Sequence, residues 1–134
     1  MTARQDRRGR APESQPSVWG HRAAEAIAQG GKTLVETAED LGEELAREDL
    51  SKTQVRNIYG LVKRMEMGGF DAERFVLLKP RLAYAAARER RVGTLRDALT
   101  GAVDAVGDDE RRFRRFVDFF EAILAYHRAQ GGKL

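Results

Sequence analysis

Six cations stand out by their spacing. Lys52, Arg56 and Lys63 lie four and seven residues apart, which on a wheel of about 100° per residue gathers them within about 40°. Arg81 and Arg88 are seven apart, two helical turns, and Lys79 stands one residue before Pro80. Cations repeated along one helix face can neutralise a line of phosphates. Tyr59 and Tyr84, at the edges of these stripes, add rings for stacking or apolar support. The plainer reading is a pair of solvated helix faces, and spacing alone leaves both open.

Nothing comparable supports catalysis, and no catalytic residue is expected. The two histidines are His21 and His127. His127 falls on an apolar helix stripe, where a hydrogen-bonded core histidine is the expectation. Glu121 and His127 are six apart and cannot act as an i, i+4 metal pair. The acids between 36 and 49 lack the glycine and ligand spacing of a calcium loop. Gly30-Gly31-Lys32-Thr33 has neither the upstream glycine nor the feeding strand of a phosphate loop. Neither a metal nor a cofactor is expected. The chain has no cysteine, so disulfides and thiolate metal sites are excluded, as suits a cytoplasmic protein.

The charge is unevenly placed. The 134 residues carry 24 basic and 21 acidic side chains, net +3. Residues 21–50 hold three basic against eight acidic groups, whereas residues 51–91 hold ten against four. The middle third therefore carries the positive field, and an acidic element precedes it. No eighteen-residue apolar run occurs, so no membrane contact is expected.

The elements that must position these cations read as helices throughout. The fold class expected is all-α: a compact bundle of about five to six helices over 18–134, a single domain, after a disordered basic arm over 1–17. Helices are expected at about 18–29 and 33–48, with one interrupted helix as the alternative. A third begins at Ser51, which forms a capping box with Gln54, and "GGFD" ends it. Asp71 caps a segment at about 72–78. Pro80 has no amide hydrogen and biases Lys79 away from helical dihedrals. A new helix is therefore expected over about 80–91, with Lys79 in the break before it and Leu82, Ala83 and Ala86 facing inward. Thr94 is the expected cap of a helix at about 94–106. The last helix, about 109–129, presents Phe113, Phe116, Val117, Phe120, Ile123, Leu124 and His127 as one stripe. Its opening "DDERRFRRF" reads as mainly structural, with pairs Asp108–Arg112 and Glu110–Arg114.

Three stretches, "LSKTQVRNIYGLVKRME", "LLKPRLAYAAAR" and "FRRFVDFFEAILAYHRAQGG", together resemble the small subunit of type III-A CRISPR effector (Csm) complexes. The resemblance covers roughly residues 50–132 and leaves 1–49 aside. It implies a helical, noncatalytic subunit that stacks with copies of itself into an inner filament, for antiviral defence. The implied partners are target RNA and guide RNA, the backbone subunits and the large subunit. It also implies that Lys52, Arg56, Lys63, Lys79, Arg81 and Arg88 hold RNA through its phosphates, with sequence left to base pairing. The rivals are a helical protein–protein adaptor without direct RNA contact and a helical DNA-binding regulator. Against the latter, no short glycine turn clearly joins two helices as in a helix-turn-helix.

Overall fold

The computed structural model describes residues 17–131; the expected arm, apart from Ser17, lies outside them. Six helices of 11 to 20 residues build an all-α bundle, and no strand occurs among the described residues. They are α1 (Val18–Gln29), α2 (Gly31–Arg47), α3 (Lys52–Met67), α5 (Leu78–Arg88), α6 (Gly93–Val106) and α7 (Glu110–Ala129), with a four-residue α4 (Ala72–Phe75) between α3 and α5. A 3-10 turn, Arg90–Val92, links α5 to α6.

Local signals start and stop these helices. Ser17 caps α1, its Oγ accepting from the Gly20 amide at 2.8 Å. A single residue, Gly30, separates α1 from α2, with φ 66° and ψ −159°. A side chain seldom adopts that backbone, so the chain breaks there into two helices. α2 ends with Asp49 left-handed (φ 64°). The Leu50 amide returns to the Leu45 carbonyl and the Asp49 amide to that of Ala46, each at 3.1 Å. Buried Leu50 and Leu45 close this C-terminal motif. Ser51 and Gln54 form the expected capping box of α3.

The main packing joins α1 to α6 and α2 to α7. Both crossings depend on glycine. A Cβ on Gly101 would collide with the Gly20 carbonyl oxygen and lie 2.8 Å from Gly20 Cα. A Cβ on Gly42 would lie 2.8 Å from the His127 nitrogen and from Tyr126 Cβ. Along α7 an aromatic ladder ties in α3 and α4. Phe75 stands edge-on to Phe113 and Phe116 at 5.0 and 4.9 Å between centroids, and Tyr59 is edge-on to Phe120 at 5.3 Å.

The arginines at the start of α7 are largely structural. Arg115 donates to the carbonyls of Ile27 and Ala28 at 2.9 and 2.8 Å, capping the end of α1. Arg112 donates to the Ala105 carbonyl at 2.8 Å near the end of α6, not to Asp108. A guanidinium there meets orphan carbonyls and the negative end of the dipole at once. Glu110–Arg114 pairs as expected, at 3.2 Å.

Three local expectations are corrected. Thr94 does not cap α6: its hydroxyl donates to the Glu48 carboxylate at 3.2 Å, and Val92 holds the cap position. Lys79 is helical, because α5 begins at Leu78 and ends at Arg88. Pro80 is its third residue, where the amide would lack an i−4 acceptor within the helix anyway. Ala83 is exposed, while Leu78, Leu82 and Ala86 are buried.

Gly101→Ala should cost about 2–3 kcal/mol by forcing α1 and α6 apart. Gly93→Ala is the control. Gly93 is helical (φ −55°) with nothing within 4 Å of an added Cβ, so it should gain about 0.5 kcal/mol. Urea denaturation of both variants checks the pair.

Candidate functional site

The basic residues of α3 and α5 fall on three distinct surfaces. Lys52, Arg56 and Lys63 share the flank of α3 turned toward α7. The structure places Lys63 there among carboxylates: Nζ lies 2.6 Å from Glu66 and 3.8 Å from Glu121. The same ammonium stands 5.9 Å from the centroid of the Tyr59 ring. The hydrogen bond from Lys63 to Glu66 raises the ammonium's pKa. Burial raises the Asp118 carboxyl first, and Glu121 and Glu66 add to it. A phosphate reaching Lys63 must compete with this acidic group. Arg56 is exposed and Lys52 half-buried; neither has a carboxylate within 4.0 Å among the described residues.

Lys79 lies on the other side, facing α6, where its Nζ is 2.7 Å from Asp104. It is the second of the six sequence-predicted cations to have a carboxylate partner within the fold.

Arg81 and Arg88 share the edge of α5 that looks toward α3. Both are exposed, and among the described residues no carboxylate comes within 4.0 Å of either. Arg88 Nη1 donates to the Tyr84 hydroxyl at 3.1 Å, and its guanidinium carbon stands 5.7 Å from that ring's centroid. Glu89, just past the helix, is held below the usual carboxylate range. The Arg91 amide hydrogen bond is the main cause, and the nearby Arg91 charge helps. Arg90 and Arg91 are exposed as well, so this end of α5 remains basic.

Between α3 and α5 runs a groove of about 610 Å³, with Ile58, Leu61, Leu82 and Ala85 among its lining residues and Asn57, Arg81 and Tyr84 joining them. The sequence reading missed Asn57 and Leu61. The signal was present: on the α3 wheel both lie on the flank opposite the Lys52–Lys63 stripe, with an apolar residue at 61 that the core does not bury.

His127 is fully buried, and its Nε2 donates to the Leu50 carbonyl at 2.9 Å, seating the α2–α3 connection on α7. Among the described residues no group of three His, Asp or Glu could hold a metal ion. No helix there is long and apolar enough to cross a membrane.

A family model described as Csm2 Type III-A matches residues 28–133. The match takes in all of α2 and so begins well before residue 50, where the sequence resemblance began. No curated protein and no solved structure matches the chain.

Tyr59 tests the α3–α7 flank. Its hydroxyl donates to the Glu121 carboxylate at 2.7 Å. Burial raises its pKa first and the Glu121 bond adds to the rise. A phenol raised in the fold contributes stability that is complete below its unfolded value of about 10. That contribution disappears as pH climbs through the folded value. Tyr59→Phe keeps the ring on Phe120 and should cost about 1 kcal/mol at pH 7. The gap from wild type should shrink above about pH 10, as denaturant melts at the two pH values would record.

Proposed function

The chain belongs to the Csm2 type III-A family, the small subunit of the type III-A effector, and on that footing we propose that it is a noncatalytic RNA-contacting subunit. In this reading it lies along the guide–target RNA of a cytoplasmic antiviral ribonucleoprotein, beside the backbone and large subunits. Copies of the chain stack into an inner filament. Base pairing with the guide selects the target, and this chain holds phosphates.

The observation that carries the reading is the state of Arg81 and Arg88. They share one exposed edge of α5 with no internal carboxylate partner among the described residues, whereas Lys63 and Lys79 are already paired. Free guanidinium forks suit phosphate recognition. Arg56 and Lys52 supply a second, separate contact. Modest affinity per copy is sufficient, because stacked copies add their contacts along one strand. The outer face of α2 carries exposed Glu36 and Glu39 beside Asp40, which already pairs with Arg22 at 2.7 Å. It complements the basic edges of the next copy, and this is the stacking surface in the present reading.

A second reading, a protein adaptor without RNA contact, draws on one observation. Val76, Leu77 and Tyr84 expose 46%, 55% and 64% of their surfaces in and just before α5, an apolar face of the kind that meets another protein.

Replacing Arg81 and Arg88 together with Ala separates the two. In the assembled complex, RNA affinity should fall, and the slope of log K against log salt should flatten by about 0.7 per lost single-strand phosphate contact. Lys79→Ala should do less, since its charge already faces Asp104. Unchanged RNA affinity in the double variant, with assembly impaired, would establish the adaptor instead.

A further inference from the structure

The groove between α3 and α5 has features that backbone neutralisation does not need. Two arginines alone hold phosphates; they require neither an exposed ring between them nor an apolar trough beside it. Here Tyr84 lies between Arg81 and Arg88 in sequence, and the residue is 64% exposed. The ring is braced from one side, because the Arg88 guanidinium both donates to its hydroxyl and stands 5.7 Å from its centroid. The groove it edges has Ile58, Leu61 and Ala85 among its lining and an exposed carboxamide, Asn57. At about 610 Å³ it falls within the range of small-molecule sites, about 300–1,000 Å³.

We propose that this groove receives an unpaired nucleobase of the strand whose phosphates rest on Arg81 and Arg88. The proposal rests on the RNA-contacting reading above and adds a base subsite to it. The base stacks on the free side of the Tyr84 ring, its edge against the apolar residues of α3. The Asn57 amide offers one donor and one acceptor group to the edge of any base, so the site is tolerant of sequence. Arg81 and Arg88 stand about 10 Å apart along the helix axis and hold two phosphates, one on either side of the ring. Arg88 spends one of its five N–H donors on Tyr84 and keeps the others for phosphate. The cations at the ring favour this occupant over a protein helix. An apolar helix would bury Arg81 and Arg88 against nothing of opposite charge on this chain, whereas a nucleotide brings its own anion.

The test uses the full chain and short single-stranded RNAs, each with 2-aminopurine at one position, and matched RNAs abasic at that position. With wild type, stacking should change the fluorescence at the seated position, and the abasic RNA should bind more weakly. Tyr84→Ala should weaken binding of the intact RNA about tenfold, abolish the fluorescence change and leave the abasic RNA unaffected. Its unfolding midpoint should match wild type, since the ring is exposed. Arg81→Ala with Arg88→Ala should instead weaken intact and abasic RNA alike and flatten the salt slope for both. If Tyr84→Ala leaves intact RNA binding unchanged while the arginine pair matters, the base subsite is wrong and the backbone reading stands. If Tyr84→Ala impairs only self-association or capture by another subunit, the groove belongs to a protein and the proposal is overturned. Failure of every RNA to bind overturns both.

Discussion

Where Gly101 of α6 meets Gly20 of α1, backbone lies directly against backbone with no side chain between them. Gly42 of α2 meets the Tyr126–His127 backbone of α7 in the same way. Each contact brings its two helices closer than any side chain would allow, and the two closed pairs leave the remaining helices to arrange themselves around them. Dispersion is gained along the whole crossing when axes approach so nearly. Gly30 then joins the pairs, since its left-handed turn lets α1 and α2 lie side by side with a single residue between them. The α3–α5 region is held less tightly, and the groove opens there.

Charge in this molecule has two distinct uses. Arg112 and Arg115 give their hydrogen bonds to the ends of α6 and α1, and Lys63 and Lys79 are absorbed by carboxylates. Arg56, Arg81 and Arg88 point outward without such partners among the described residues. Among the described residues, free cations thus stand on the same helices as partnered ones, and attraction to a polyanion is set by where the free ones cluster.

Much of this was legible in the sequence where the cause is local. The Ser51–Gln54 capping box, the stop at Gly68-Gly69, the Asp71 cap and the apolar stripe of α7 all depend on residues within one or two turns. The periodicity of α7 also placed His127 in the core. What escaped depends on distant partners. Nothing near Thr94 announces that its hydroxyl is drawn to Glu48, 46 residues earlier. Likewise Lys79 looks like a free cation until α6 brings up Asp104, whereas Lys63 meets Glu66 only three residues on, a pairing already present in the sequence. Pro80 does sit in the first turn, where its missing amide costs no internal hydrogen bond. The break before that helix, however, falls at Val76 and Leu77 rather than at Lys79. The Lys52 stripe and the Arg81 edge were read as two stripes with no relation fixed between them; α3 turns its stripe to α7 and shows α5 its other flank. Only the packing of three helices decides that.

The bonds from Arg115 to the end of α1 span 88 and 87 residues, and the bond from His127 to Leu50 spans 77. All three depend on α7, which is synthesised last among the described helices. During translation α1 emerges before α6, its main packing partner, and the carbonyls of Ile27 and Ala28 emerge long before Arg115. Loop closure over such distances is entropically slow to reward. In chain order the acidic α2 thus comes well before α7, the helix that covers its apolar face.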